Sequence, residues 1–365
     1  MASIVKRGAS WQYIISRYVD GKYKPIRKAG FKTKHEAKVA ADEIEYKLNT
    51  GQRIKNEHIA FSKYFEDWYS IYKTNVSKQT LNHYKDSLRY IKEHFGEVTT
   101  IQEIKRKDYQ VFLNEYGKKY AKETISKVHG HIKASVDHAV EDEIIRINFA
   151  DKVILTGKQS KDKSEKYLEF EDSEKLYKTL MKNLNRGLSY YGVLLLLVSG
   201  MRFEELVGLT RNDFDFDSNT ISINKVWGYS NKMTEGFGKT KNKQSVRTIK
   251  IDADVMREFK KLFMKMPDNI NRLVFFSVKS KYRVISNTII NKTLKKALIV
   301  AGIKKQITAH ELRHTHASAL IYKKTSIIYV SERLGHAGTE ITYKRYAHLM
   351  KELREEDEKI AINIY

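Results

Sequence analysis

The chain has 365 residues, with 68 Lys+Arg against 44 Asp+Glu and a formal charge of +24. Such an excess calls for a polyanionic partner, nucleic acid above all, because phosphate binding releases condensed counterions. Cysteine is absent, which excludes disulfides and thiolate metal sites and suits an intracellular protein, while the length allows two or three domains.

Residues 1–58 read as a small separate unit. The opening residues lack the apolar core of a signal peptide. Trp11, Tyr13 and Ile15 then alternate with Gln12, Ile14 and Ser16, the period of a strand, and Asp20-Gly21 is a hairpin turn signal. Thr33-Lys34-His35-Glu36 has the form of a capping box and predicts a helix to about Leu48, stopped by Gly51. The unit is basic, and Arg17, Arg27 and Lys28 are its candidates for DNA contact.

Residues 59–155 read as all helix. Leu81, Tyr84, Leu88, Ile91 and Phe95 form one apolar stripe at spacings of three and four, closed by Gly96. Ile125, Val128, Ile132, Val136 and Ala139 form a second, and Phe112, Leu113 and Tyr116 mark a shorter helix between them. These stripes are core. Lys105, Arg106, Lys107, Lys122 and Lys127 beside them are candidates for phosphate contact, with Lys122 carried forward.

The lysine-rich, aperiodic stretch 156–166 reads as a linker. A third domain, 167–365, opens with a helix over about 171–183. The apolar run within 190–198 is far too short to span a bilayer and predicts a buried helix. Residues 220–227 and 245–251 have strand composition, with Gly236 and Gly238 loosening the loop between them, and helices return over about 286–350. The expected fold is therefore multidomain α+β: a small sheet plus helix, an all-α middle, and a mainly helical last domain with a small sheet. No membrane association is expected.

The third domain carries the chemistry. His310-Glu311-Leu312-Arg313-His314 is a literal H-E-x-x-H, whose histidines share a helical face and form a zinc hydrolase motif. The longer pattern fails, because its Gly and last His positions hold Ala317 and Leu320, although Glu332 remains as another third ligand. Zinc chemistry also gives no role to the charge of +24. A different constellation spans the domain: Arg202 with Glu205 after a Ser-Gly turn, His310 with Arg313, then His336 after a Gly, and Tyr346.

This order, R…H-x-x-R…L-G-H…Y, resembles the signature of the tyrosine recombinases, the phage-integrase family. The resemblance covers most of the chain. It implies a three-stranded arm-binding domain at 1–58, a core-binding domain at 59–155 and a catalytic domain at 167–365. It implies a metal-free, ATP-independent reaction with no cofactor. Arg202 and Arg313 would offer bidentate donors to the phosphate, His310 and His336 further hydrogen bonds, and Glu205 support for the arginines. Tyr346 would attack phosphorus, giving a 3′-phosphotyrosyl enzyme and a free 5′-hydroxyl, whose return attack rejoins DNA through a Holliday junction. Tyr343 is the neighbouring alternative. The family's hairpin lysine falls on Lys241 when counted back from Arg247, or on Lys239 when the letters K-T-K are matched; Arg247 is taken as a DNA contact. His314 and His316 are read as structural. The implied partners are core and arm attachment sites in double-stranded DNA, three further copies in a tetramer, an excisionase and a host DNA-bending protein, all in the cytoplasm on the nucleoid. A non-catalytic DNA-binding protein on the same fold would lose one or more of these residues, and all are present. The acidic tail after Tyr346 ends with Ile360, Ile362 and Ile364 at strand period, which predicts a terminal strand added to the edge of a catalytic-domain sheet, its own or, the favoured reading, a neighbouring subunit's.

Overall fold

A computed structural model describes residues 2–19, 22–49, 58–159, 166–231, 233–240 and 242–352, together with positions 358 and 362. The chain divides into two compact units, 1–159 and 160–365.

The first unit begins with β1 (Ser3–Arg7), β2 (Ser10–Ile15), β3 (Tyr18–Val19), β4 (Lys22–Tyr23) and β5 (Ile26–Phe31), followed by α1 (Lys34–Asn49). Strands β1, β2 and β5 form an antiparallel sheet in that order, and β3 pairs with β4. The expected alternation puts Tyr13 and Ile15 on the buried face, where Ala37 and Ala41 of α1 are small enough to let the helix approach. Thr33 Oγ1 accepts from the Glu36 backbone N–H at 3.1 Å, half of the expected capping box. The Glu36 carboxylate instead reaches the Lys32 N–H at 3.0 Å. The expected turn at Asp20-Gly21 and the stop at Gly51 lie outside the described residues.

Four helices follow: α2 (Phe61–Tyr72), α3 (Lys78–Phe95), α4 (Arg106–Lys119) and α5 (Lys122–Glu141). The two expected stripes line their shared core, with Leu81 and Phe95 at its margin. Helix α2 falls within the stretch expected to be helical; its Phe61, Phe65 and Trp68, a stripe the sequence reading does not single out, recur at helical spacing and are buried. Ser77 caps α3 by accepting from the Thr80 N–H at 3.2 Å, and Gly96 closes it at φ +78°. Residues 156–158, expected in the linker, are held to this unit: Lys158 N donates to Tyr120 O at 2.9 Å, and Lys122 N to Lys158 O at 3.1 Å. Gly157 makes this possible, since a side chain there would run into the Lys122 backbone.

The second unit contains α6 (Phe170–Lys182), α7 (Leu188–Ser199), α8 (Phe203–Gly208), β6 (Phe214–Asp215), β7 (Thr220–Ile223), β8 (Val226–Gly228), β9 (Gly236–Gly238) and β10 (Arg247–Lys250). The helices α9 (Ala253–Lys265), α10 (Asn287–Val300), α11 (Ala309–Tyr322), α12 (Ile327–Leu334) and α13 (Thr339–Glu352) complete it. The apolar α7 is buried nearly all round and forms the centre of the core. The single strand expected at 220–227 is two. β7 pairs with β6 and β10, whereas β8 pairs with β9, and Lys225 between them donates to the Asp213 carboxylate at 2.5 Å. Helix α9 falls where no helix was expected; Asp252 caps it, accepting from the Asp254 and Val255 N–H groups at 2.9 and 3.3 Å. In the tail, Ile362 is helical and 82% exposed, against the expected strand; Ile360 and Ile364 lie outside the described residues. Among the described residues no helix is long and apolar enough to cross a membrane.

Candidate active site

The site is built where α7 gives way to α8. Gly200 ends α7 at φ +65°, and a side chain there would meet Leu334 and His316. The reversal makes Arg202 the N-cap of α8 and puts Glu205 in its first turn. Glu205 is 1% exposed. Its carboxylate accepts from the Arg202 backbone N–H at 2.9 Å and from Arg202 Nη1 at 2.7 Å. It also accepts from Arg247 Nη2 at 2.9 Å and Nη1 at 3.3 Å. Burial would raise this carboxyl, but the Arg247 charge and hydrogen bonds, then those of Arg202, outweigh it and hold it below its ordinary value.

Arg247, expected to contact DNA, is engaged within the arginine cluster. It is buried, and besides gripping Glu205 it donates through Nε to the Arg333 carbonyl at 2.7 Å and through Nη1 to the Ser245 carbonyl at 2.8 Å. Arg333 is in turn fixed by donating to His316 Nε2 at 2.9 Å, Lys250 O at 3.0 Å and Val198 O at 3.1 Å. This chain of contacts, Arg333 to Arg247 to Glu205 to Arg202, sets the direction of the Arg202 side chain.

Helix α11 brings the next residues. Glu311 accepts from the Thr308 N–H at 2.6 Å and so caps its own helix, while His314 Nδ1 lies 2.8 Å from the Tyr346 hydroxyl. Glu311 and His314 of the H-E-x-x-H pattern are thus each engaged by a group of the protein itself. Arg313 is 3% exposed and donates from Nη1 to Gly200 O at 2.8 Å. Its Nη2 is buried and has no hydrogen-bond partner among the described residues. Burial, then the Arg202 charge, pushes Arg313 down to about 9. A buried cation with an unmade hydrogen bond is unfavourable, and an anionic acceptor relieves it.

Gly335 ends α12 at φ +65°, and its carbonyl accepts from Arg202 Nη2 at 3.3 Å. A side chain at 335 would press on Arg247 and Ser245, so the Gly before His336 is a packing requirement of the arginine cluster. His336 is buried, with Nδ1 2.6 Å from Thr342 Oγ1. Burial, then Arg313, Arg345 and Arg202, pushes it down to about 3, so the ring is neutral. His310 is lowered by its surroundings and then by the same three arginines. Tyr346, on α13, is 2% exposed; burial pushes it up to about 12 against the opposing pull of Arg313 and Arg345. Tyr343 is 58% exposed on the same helix. A cleft of about 480 Å³ opens beside Tyr346, bounded by Tyr167, His314, Ile341, Lys344 and Arg345.

Arg202, His310, Arg313, His336 and Tyr346 thus come together from four separate stretches. Lys241 lies outside the described residues. Lys239 is exposed just beyond β9, and the segment that follows approaches the cluster at Ser245, whose Oγ lies 3.4 Å from Arg202 Nη1. In the first unit, Arg17 donates to Lys24 O at 3.2 Å, Arg27 and Lys28 are exposed on β5, and Lys122 is exposed at the start of α5.

Residues 166–352, just over half of the chain, match the phage integrase family. This chain belongs to that family. It is a tyrosine recombinase, an enzyme that breaks and rejoins DNA. Residues 3–48 match an arm DNA-binding domain and residues 60–153 a phage integrase SAM-like domain. The integrase of Staphylococcus phage L54a is 27% identical over 355 residues, covering 89% of this chain and 99% of that protein. The transposase from transposon Tn916 of Enterococcus faecalis is 27% identical over 290 residues, 72% of this chain and 67% of that one. A structure of the Tn1549 transposon integrase in complex with a circular intermediate DNA has the same fold, with a TM-score of 0.68 at 19% identity, covering 83% of this chain and 99% of that chain.

The sequence alone did not single out Thr342, Ser245 or Arg333, and it read His314 as structural. Only His314 left a signal, one helical turn beyond His310.

Proposed function

We propose that this recombinase inserts a mobile genetic element into DNA and excises it, with Tyr346 as the nucleophile. The Tyr346 oxygen attacks the scissile phosphorus as its phenolic proton is released to solvent, a Tyr–O–P bond forms, and the bond to the 5′-oxygen breaks. Arg202 and Arg313 hold the non-bridging oxygens, joined by His310 and His336; preorganised donors of this kind contribute roughly 10²–10³ in rate each. Lys241, or Lys239, supplies the proton for the departing 5′-oxygen. The 3′-phosphotyrosyl link conserves the bond, so a 5′-hydroxyl from another strand displaces Tyr346 and rejoins DNA through a Holliday junction without ATP.

The division of labour follows the domains: arm sites for 1–58, core sites for 59–155 and 167–365, with 156–166 between. Four copies act together on DNA, assisted by an excisionase and a host DNA-bending protein, in the cytoplasm on the nucleoid.

The observation that carries this reading is the half-paired Arg313 guanidinium, buried within electrostatic reach of the Tyr346 hydroxyl. A nicked suicide substrate spanning an element junction tests it. A covalent protein–DNA adduct should accumulate in the presence of a chelator; binding without adduct would point to a non-catalytic DNA-binding protein instead.

A further inference from the structure

We propose that His314 is a positioning residue for the nucleophile, holding the Tyr346 hydroxyl at its Nδ1 so that the oxygen meets phosphorus in one orientation. This rests on Tyr346 being the nucleophile.

The Tyr346 hydroxyl lies 2.8 Å from His314 Nδ1 and has no other hydrogen-bond partner among the described residues. A buried phenol O–H needs an acceptor, so it is the hydroxyl that donates, and Nε2 carries the imidazole proton. The rings meet edge to face at 5.9 Å, which fixes their relative attitude as well as their distance.

The imidazole is neutral. Burial, then the charges of Arg345, His310, Arg313 and Lys166, holds it down to about 3, while Tyr346 is raised to about 12. With the acceptor so weak a base and the donor so weak an acid, the proton stays on oxygen. In this resting arrangement the bond orients the phenol, and the proton leaves only as the oxygen attacks phosphorus.

Orientation matters here because the phenol has somewhere else to go. The cleft beside it, about 480 Å³ and lined by Tyr167, Ile341 and Arg345, has room for a swung ring. His314 also follows Arg313 directly, and Arg313 is anchored to Gly200 O. One turn of α11 thus carries both the anion-binding arginine and the residue that holds the attacking oxygen of α13.

The test uses the full chain on a nicked suicide substrate, measuring cleavage at saturating DNA separately from DNA affinity. His314→Ala should cleave about ten-fold more slowly, the worth of one hydrogen bond, with unchanged affinity. His314→Asn, whose amide oxygen can take the Nδ1 position, should recover most of that loss. A 5′-phosphorothiolate substrate, which dispenses with the acid at the leaving group, should not rescue His314→Ala. Cleavage by His314→Ala at or above the wild-type rate would overturn the proposal, as would phosphorothiolate rescue. If thermal melting shows that His314→Ala is unfolded, His314→Asn decides alone: near-normal cleavage supports the proposal, and an alanine-like loss in a folded protein overturns it. Adduct formation by Tyr346→Phe in the same assay would instead refute the nucleophile assignment itself.

Discussion

Replacing Glu205 by Gln keeps the volume of the side chain and removes its charge. In the structure this carboxylate accepts four hydrogen bonds from two arginines and is 1% exposed. Removing one partner of a buried ion pair costs about 3–5 kcal/mol, chiefly because the other charge stays buried and unpaired. Gln retains some of the hydrogen bonding, so about 3 kcal/mol is expected. For a unit of this size that lowers the melting temperature by about 6–12 °C. The loss depends on pH. Glu205 is held below its ordinary value of 4.5, so its contribution is complete above that value and fades as pH falls through the lower folded value. Wild type and Glu205→Gln should therefore differ most near neutral pH and converge on acidification. Thermal melts across pH 3–7 measure this directly. A Glu205→Gln protein that melts with the wild type at neutral pH, or a gap that widens in acid, would refute the account of the arginine clamp. Adding Arg247→Met to Glu205→Gln removes the stranded charge, and the double variant should lose less than the sum of the singles.

Thr342→Val is nearly isosteric and removes only the oxygen 2.6 Å from His336 Nδ1, so cleavage should fall about ten-fold, with a stability loss of about 1 kcal/mol from the buried nitrogen left unpaired; an unchanged rate would show that the ring needs no such anchor. Lys241→Ala should slow cleavage and be rescued by a 5′-phosphorothiolate substrate, whereas rescue of Lys239→Ala alone would move the acid to Lys239. Deleting residues 1–58 should spare cleavage of isolated core sites and impair recombination of full attachment sites, and equal recombination by the shortened chain would remove the arm-binding role.

The clustering of the candidate site residues was legible because they are few, polar and ordered, and because two of them lie close to glycines with structural consequences. Gly200 and Gly335 have positive φ and stand where a side chain would strike the packing around the arginines. The buried α7 and the two apolar stripes were legible from periodicity. What escaped was whatever depends on approach in space. Arg247 reads as one more basic residue until the fold brings it against Glu205, 42 residues away in sequence. His314 and Thr342 reach partners brought to them by the packing of α11, α12 and α13, which no local pattern announces. At the break between β7 and β8, Lys225 finds Asp213. Helix α9 has a simpler explanation: its only local start signal is the Asp252 cap, which directly follows a strand-like stretch.

The central claim is that Tyr346 carries the DNA. Trypsin separates the two candidates, because cleavage after Lys344 and Arg345 leaves Tyr346 in peptide 346–351 and Tyr343 in peptide 334–344. Mass spectrometry of the adduct trapped on a suicide substrate, after nuclease digestion, should find the nucleotide remnant on 346–351. Finding it on 334–344, or on neither peptide, would contradict the account.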